Sequence, residues 1–209
     1  MKSHDYWQKQ HQNYSTYDWI TKPTIFAEQI VNLLPKNGKL IDLGAGQGQD
    51  SRFFAQNNFQ VTSTDFTQDA LDISRNKSNN LEIDYKNVDL TKPLPFDDSS
   101  FDIVYSHLSL HYFDNITTQN IFNEIHRILK KNGILAILVN TINDPEVAES
   151  EKIEEGYFLS PVGIKKRFFP VKYLRQLIGD RYQIEILDEN GETYKDSIKN
   201  LIRFVGKKI

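Results

Sequence analysis

Cysteine is absent from this sequence of 209 residues. Disulfides, thiolate metal sites and thiolate nucleophiles are therefore excluded together, as is any chemistry in which thiolates must hold a metalloid. A chain without cysteine is typical of reducing compartments, and we expect this one to be cytoplasmic.

Long apolar runs and a strong excess of either charge are also lacking. The longest apolar run, Ile134 to Val139, is far shorter than the roughly 18 residues that a membrane helix needs, and the first residues, MKSHDYWQKQ, have no apolar core of the signal-peptide kind. With 25 Lys and Arg against 28 Asp and Glu, the net charge is −3. So small a net charge creates no overall electrostatic field that would attract polyanions. We therefore expect no nucleic-acid or membrane partner. The expected oligomeric state is a monomer or weak homodimer.

Hydrophobic residues make up 39% of the chain, enough for a substantial core, and the length fits a single domain spanning residues 1–209. After residue 39, strand-like apolar segments alternate with helical ones. This alternation predicts an α/β fold, with a mostly parallel, doubly wound sheet covered by helices on both faces. Two late apolar segments are joined too closely for a crossover helix and predict an antiparallel pair at one edge. The helix that begins at Asn115 is expected to end at Gly133.

Two segments flank this alternation. Residues 1–21 are rich in aromatic residues; Trp7, His11 and Tyr14 share one helical face, which predicts a cap helix or an active-site lid over the pocket. Residues 141–169 form a long connection with an acidic run and are interpreted as a solvated helix or a lid insertion. The basic run at residues 165–167 is expected to be a solvated patch.

The stretch LIDLGAGQG combines a buried strand, an aspartate and three glycines directly before a helix. Gly44, Gly46 and Gly48 permit positive φ angles and a close approach of the main chain to a ligand. The following helix start carries unpaired N–H groups and partial positive charge, so an anionic group of the ligand is expected there.

The spacing of these residues narrows the cofactor. Asp65 ends the second predicted strand about 20 residues beyond the first glycine, where a carboxylate accepts ribose hydroxyls in dinucleotide-binding folds. The nicotinamide pattern G-x-G-x-x-G is matched poorly, because the third glycine comes one position early. Asp42 suits an ammonium better than a pyrophosphate, which favours S-adenosylmethionine and leaves NAD as the alternative. No Lys-Ser or Lys-Thr pair follows the glycines, so a P-loop is excluded.

Four motifs in order, LIDLGAGQG, VTSTDF, NVDLTKPLPFDDSSFDIVYSHLSLHYF and EIHRILKKNGILAILV, resemble the class I S-adenosylmethionine-dependent methyltransferases, in the branch of ubiquinone-biosynthesis and tellurite-resistance type enzymes. The resemblance covers about residues 23–140. It implies a Rossmann-like, seven-stranded sheet with an antiparallel last strand. It also implies S-adenosylmethionine as cofactor and methyl transfer to an oxygen, nitrogen, sulfur or carbon atom of a small molecule.

The resemblance also implies roles for individual residues. Asp42 would face the cofactor amine, Asp65 the ribose, and Asp89 with the Leu90 N–H the adenine. Expected at the cofactor are Asp42, Gly44, Ala45, Gly46, Asp65, Phe66, Asp89, Leu90 and Ser106, with Phe66 on the adenine edge and Ser106 near the methionine part. Expected in the substrate pocket are Tyr14, Tyr17, His111 and Tyr112. Related sequences often have a basic residue after the glycine loop; this chain has Gln49 followed by Asp50, which is expected to cap the helix.

His111 is the candidate general base, with a pocket wall as its other interpretation. His107 lies four residues earlier, but no carboxylate completes a metal-ligand spacing, so no metal is predicted; His126 is expected to be structural.

Two further functions stay open. The chain could bind the cofactor or its demethylated product as a sensor or partner subunit, or methylate a macromolecule, for which the sequence displays no basic surface.

Overall fold

The computed structural model describes residues 3–14, 17–194 and 200–209. The helices are α1 (Ser3–Tyr14), α2 (Ile25–Ile30), α3 (Gln49–Gln56), α4 (Gln68–Lys77), α5 (Asn115–Ile128) and α6 (Val171–Ile178). The strands are β1 (Lys39–Leu43), β2 (Gln60–Asp65), β3 (Ile83–Asn87), β4 (Phe101–His107), β5 (Leu129–Asn140), β6 (Glu151–Glu154), β7 (Tyr157–Leu159), β8 (Lys165–Arg167), β9 (Tyr182–Asp188) and β10 (Leu201–Lys208). Short 3₁₀ turns lie at Asp18–Thr21, Val31–Leu33, Pro145–Glu149 and Gly179–Arg181. Within the described ranges, no helix has the length and apolarity to cross a bilayer.

Seven strands form the main sheet in the order β3-β2-β1-β4-β5-β10-β9. Strands β1 to β5 pair in parallel, whereas β10 runs antiparallel to both β5 and β9. The predicted fold class is therefore confirmed, including the antiparallel last strand. The strand order reverses beside β1, so a ligand crevice is expected beyond the carboxyl ends of β1 and β4.

Each face of the sheet is covered by helices through a separate apolar cluster. On one face, α5 and α6 pack through buried side chains that include Ile121, Ile125 and Leu174. On the other, α2 and α3 contribute Phe26, Ile30 and Phe54. The sheet is therefore buried on both sides, as its nearly continuous apolar strands predict.

Helix α5 ends at Ile128, and the predicted end at Gly133 is wrong. The chain turns directly into β5, and Leu129 already pairs with Phe101 of β4. Gly133 serves a different purpose, because a Cβ there would lie 2.7 Å from the Leu129 side chain and 2.9 Å from the Asp102 carbonyl oxygen. The glycine is required by the close contact between β5 and β4.

The 141–169 segment is a small antiparallel sheet and not a solvated helix. A 3₁₀ turn at residues 145–149 leads into β6, β7 and β8, which pair in that order. Tyr157 and Phe158 of β7 are buried, and the Phe158 ring packs edge-on against that of Phe168, with their centres 5.7 Å apart. The second half of the acidic run therefore forms β6, and its pairing partner β7 lies farther along the chain.

The basic run on β8 is not a solvated patch. Arg167 is 1% exposed, donates to the Phe113 carbonyl oxygen and pairs with Glu154. Its guanidinium lies 5.3 Å from the ring centres of both Tyr157 and Tyr173, a cation–π arrangement. These contacts attach the small sheet to the start of α5 and to α6.

Replacing Gly133 by alanine tests the contact between β5 and β4. We expect Gly133→Ala to lower the free energy of unfolding by about 1–3 kcal/mol, because backbone atoms must move to admit the methyl group. Urea unfolding measures the loss, and Lys131→Ala, at an exposed position of the same strand, is the control. An unchanged midpoint for Gly133→Ala would contradict the contact.

Candidate functional site

The glycine turn between β1 and α3 is tightly enclosed. Gly44, Gly46 and Gly48 have φ angles of 73°, 55° and 70°, a region that other residues enter only with strain. A Cβ at Gly44 would lie 2.3 Å from the Ser109 Cβ, and one at Gly48 would lie 1.8 Å from the Ser74 Oγ. The turn therefore runs in a gap between the segment after β4 and helix α4.

Asp65, at the carboxyl end of β2, is fixed against this turn. Its Oδ2 accepts from the Gly46 N–H at 3.0 Å, and its Oδ1 accepts from the N–H and the Oγ1 of Thr67 at 2.9 and 2.7 Å. A carboxylate accepts about four hydrogen bonds. Asp65 is thus held in one orientation and keeps capacity for a ligand hydroxyl.

A first cavity of about 340 Å³ opens beside Asp65. Its walls come from the ends of β1, β2 and β3 and from the segment after β4. The described lining residues are Trp7, Gly44, Gly46, Asp65, Phe66, Val88, Asp89, Leu90, Thr91, Leu108, Ser109, Tyr112 and Phe113. Asp65, Phe66, Asp89 and Leu90, predicted at the cofactor from two separate motifs, are brought together here.

A second cavity of about 310 Å³ lies on the other side of the glycine turn. The described lining residues are Tyr6, Trp7, Tyr14, Ile20, Thr24, Ile25, Gly44, Ala45, Gly46, Gln47, Gln49, His107, Leu108, His111, Tyr112, Asn140, Lys166, Thr193 and Tyr194. Tyr14, His111 and Tyr112 therefore line one pocket, as predicted for the substrate. Both cavities share Trp7, Gly44, Gly46, Leu108 and Tyr112, so they meet at the turn.

Leu108 marks the junction of the two cavities. It has a positive φ of 53°, and its N–H donates to the Leu138 carbonyl oxygen at 3.0 Å. A bulky residue in this conformation costs on the order of 1–3 kcal/mol, and such strain is concentrated at functional sites. The positive φ of Leu108 turns the chain after β4 back over the glycine turn.

Asp42 lies beneath the turn and is not among the described residues that line either cavity. Its Oδ2 accepts from the Ser51 Oγ of α3 at 2.7 Å. Burial, together with the charge of nearby Asp50, raises the pKa of the Asp42 carboxyl to about 8. A cation near this carboxyl would favour its ionised form.

Asp50 does not cap its own helix, and that expectation is wrong. The residue before α3 is Gly48, whereas the buried Asp50 carboxylate accepts from the Thr24 N–H and Oγ1 at 2.7 and 2.9 Å and from the Tyr105 hydroxyl at 2.7 Å. Thr24 itself caps α2. Asp50 thus joins α2, α3 and β4 behind the second cavity.

Ser106 and Tyr17 lie away from the cavity walls among the described residues. The buried Ser106 Oγ donates to the Leu43 carbonyl oxygen at 3.0 Å and lies 2.5 Å from the Ser109 Oγ. Ser109, which the sequence analysis missed, lines the first cavity in its place. Tyr17 is 53% exposed. The structure thus separates these two residues from the groups with which they were predicted to act.

Several wall residues of the second cavity were not predicted. Lys166 and Asn140 lie far from the glycine motif in sequence, and no local pattern indicates them. Gln49 follows the turn directly, so its position next to the glycine motif could have predicted that it lines the cavity.

His107 lines the second cavity, and the described residues include no group of three or more His, Asp or Glu suited to a metal. His126 packs instead on Tyr182, whose hydroxyl lies 3.3 Å from its Nδ1.

A family model described as a methyltransferase domain matches residues 41–137 of the chain. An uncharacterised methyltransferase of Synechocystis sp. is 34% identical over 100 residues, covering 48% of this chain and 46% of that protein. The malonyl-[acyl-carrier protein] O-methyltransferase of Pectobacterium atrosepticum is 30% identical over 127 residues, covering 58% and 46%. The chain spans about half the length of the curated relatives it matches.

The fold has solved counterparts. The crystal structure of an S-adenosylmethionine-dependent methyltransferase from Methanosarcina mazei superposes with a TM-score of 0.76 at 24% identity, covering 87% of this chain and 97% of that one. At this identity, the likeness establishes the fold.

Asp42 gives the stability of the protein a specific pH dependence. Because the folded-state pKa is raised from 3.8 to about 8, the native protein retains a proton that the unfolded chain loses, so stability falls as pH rises through this window and levels off above it. We expect the difference in unfolding free energy between wild type and Asp42→Asn to fall by up to about 1.4 kcal/mol per pH unit. Urea unfolding from pH 5 to 9 measures it; Asp72→Asn, on an exposed face of α4, is the control. Parallel wild-type and Asp42→Asn curves would refute the buried, protonated carboxyl.

Proposed function

We propose that the chain transfers a methyl group from S-adenosylmethionine to a small-molecule acceptor. Residues 41–137 match the methyltransferase domain model, and the fold is that of a solved S-adenosylmethionine-dependent methyltransferase. These matches confirm the resemblance seen in the sequence and support S-adenosylmethionine as the cofactor in place of NAD. The proposal rests on one observation: two cavities meet at the glycine turn. We assign the first cavity to the nucleoside of the cofactor and the second to the acceptor.

The first cavity suits an adenosine. The Asp65 carboxylate is already oriented by Gly46 and Thr67, and its remaining acceptor capacity fits the two hydroxyls of a ribose. Asp89, whose Oδ1 accepts from Thr91, has its other oxygen for the adenine amino group. Phe66 supplies an aromatic ring beside the base, and the Leu90 N–H supplies a donor for a ring nitrogen.

The glycine turn suits the methionine end of the cofactor. Gly44 and Gly46 line both cavities, so a ligand that extends from one cavity to the other must cross the turn. Glycine allows the main chain to approach such a ligand closely. Asp50 lies beneath the turn, and a cation bound above the turn would favour the ionised form of the buried Asp42 carboxyl.

When bound, S-adenosylmethionine supplies a methyl group on a sulfonium whose leaving group is already activated. The protein must therefore hold the acceptor in line with the methyl group and exclude water. Trp7 of α1 and Lys166 of the small sheet lie on the cavity walls. We propose that residues 1–21 and 141–169 are the lids of a single domain, covering the acceptor cavity from two sides.

His111 is the residue we assign to an acceptor that arrives with a proton. It is 2% exposed, lines the second cavity, and its ring lies 4.3 Å from that of Tyr112. The Arg167 N–H donates to its carbonyl oxygen at 2.7 Å, so β8 fixes its position. For an acceptor that is already ionised, the same imidazole serves as a wall of the pocket.

A small acceptor is supported by the size of the second cavity, about 310 Å³, which lies at the lower end of the range for small-molecule sites. Its described lining includes five aromatic side chains, Tyr6, Trp7, Tyr14, Tyr112 and Tyr194, and the net charge of the chain gives no platform for nucleic acid. The relative from Pectobacterium atrosepticum methylates an oxygen, by its name. Oxygen is therefore the acceptor atom that we favour.

Calorimetric titration with S-adenosylmethionine, S-adenosylhomocysteine and NAD⁺ tests the cofactor site. We expect both sulfur ligands to bind the wild type and NAD⁺ to give no signal. Asp65→Ala should weaken both sulfur ligands about 10- to 100-fold, because hydrogen bonds to a charged group are lost. Asp72→Ala, on the exposed face of α4, should bind as the wild type does.

Thermal unfolding of each variant shows whether the glycine turn survives the loss of Asp65. Binding of NAD⁺, or affinities that Asp65→Ala leaves unchanged, would overturn the assignment of the first cavity. Cofactor binding without transfer to any member of a broad panel of small acceptors would favour the non-catalytic alternative.

A further inference from the structure

The wall of the second cavity contains one ammonium group. Apart from two histidines, Lys166 of β8 has the only ionisable basic side chain among the described residues that line this cavity, and no lining residue among them is Asp or Glu. Its side chain is 15% exposed. The cavity assigned to the acceptor therefore has a half-buried ammonium in its wall.

Lys166 is paired within the same small insertion. Its Nζ donates to both oxygens of Glu146, at 2.7 and 2.8 Å, and the Glu146 side chain is 21% exposed. Burying two charges costs desolvation energy that the pair recovers only partly, so a buried ion pair is weak evidence for stability. The pair is better explained by a use for the ammonium at the cavity.

The donors around this ammonium are suited to a negatively charged oxygen. An ammonium has three N–H donors, and Glu146 occupies at most two of them. Tyr6, Tyr14 and Tyr112 also line the cavity. Burial raises the pKa of all three phenols, so at neutral pH they remain protonated and can donate hydrogen bonds.

We propose that the methyl acceptor carries an ionised carboxylate and that Lys166 binds it. The inference rests on the proposed function and narrows it, because it assigns the chemical class of the acceptor. In methyl transfer to a carboxylate, an oxygen lone pair forms the new C–O bond while the electrons of the broken C–S bond stay on sulfur, giving a methyl ester and a neutral thioether. No proton moves, so His111 then acts as a wall.

The test compares small acids with their neutral isosteres on the protein saturated with S-adenosylhomocysteine. The probes are benzoate, phenylacetate, 3-phenylpropionate and hexanoate, each paired with its primary amide. Calorimetry measures binding to wild type, Lys166→Met and Lys166→Arg. We expect at least one acid to bind at least about tenfold more tightly than its amide. This preference should disappear in Lys166→Met and be partly retained in Lys166→Arg.

Two controls separate a binding role from a structural one. Lys165→Met removes an exposed charge from the neighbouring position of β8 and should keep the preference. Lys166→Met removes the ammonium that pairs with Glu146, so the double variant Glu146→Gln/Lys166→Met removes both charges; it should retain affinity for S-adenosylhomocysteine and still lack the preference.

The outcomes distinguish this inference from the proposed function. If the wild type binds S-adenosylhomocysteine but no acid is preferred over its amide, or if the preference persists in Lys166→Met, the carboxylate assignment is overturned and the cofactor site stands. If S-adenosylhomocysteine itself does not bind, the proposed function fails and the carboxylate assignment with it.

Discussion

The enclosure of the glycine turn is the constraint on which the site depends. The main chain passes between Ser109 and Ser74 with no room for a side chain at Gly44 or Gly48. This confinement brings the Gly46 N–H to Asp65, so that one hydrogen bond sets both the turn and the carboxylate. Ser109 donates at 2.6 Å to the Leu43 carbonyl oxygen, which fixes the segment after β4 to the end of β1. The two cavities owe their common wall to these contacts.

Electrostatics beneath the turn follow from the same packing. Asp42 and Asp50 are both buried, and each has hydroxyl donors, from Ser51 for the first and from Thr24 and Tyr105 for the second. Burial, and after it the charge of nearby Asp50, raises the cost of ionising Asp42, and the pKa of this carboxyl is raised accordingly. A cationic ligand above the turn relieves this cost. The site therefore has an electrostatic preference for a sulfonium and ammonium that a pyrophosphate would not satisfy.

The sequence was informative where structure follows from neighbouring residues. The strand and helix patterns predicted the order of the secondary-structure elements. The spacing from Gly44 to Asp65 predicted that these two residues lie close together, because the carboxyl ends of parallel strands share one edge of the sheet. Asp50 was misinterpreted because a carboxylate in a first helical turn usually caps that helix. Here the partners, Thr24 and Tyr105, come from distant segments. Gly133 was misinterpreted for a similar reason, as its contact with Asp102 belongs to another strand. Lys166 had no local signal, because only the pairing of the small sheet brings it to the cavity.

The position of β10 bears on how the chain reaches this structure. Strand β9 joins the main sheet only through β10, which itself pairs with β5. Residues 201–208 must therefore find a strand that ends at Asn140 before β9 and β10 are attached to the main sheet, and closing so long a loop is slow on entropic grounds. Residues of β5 from Gly133 onward are all buried in the native state. Before β10 pairs with it, β5 therefore has an unpaired apolar edge. Such edges promote association between partly folded chains, so refolding of this protein is expected to be sensitive to its concentration.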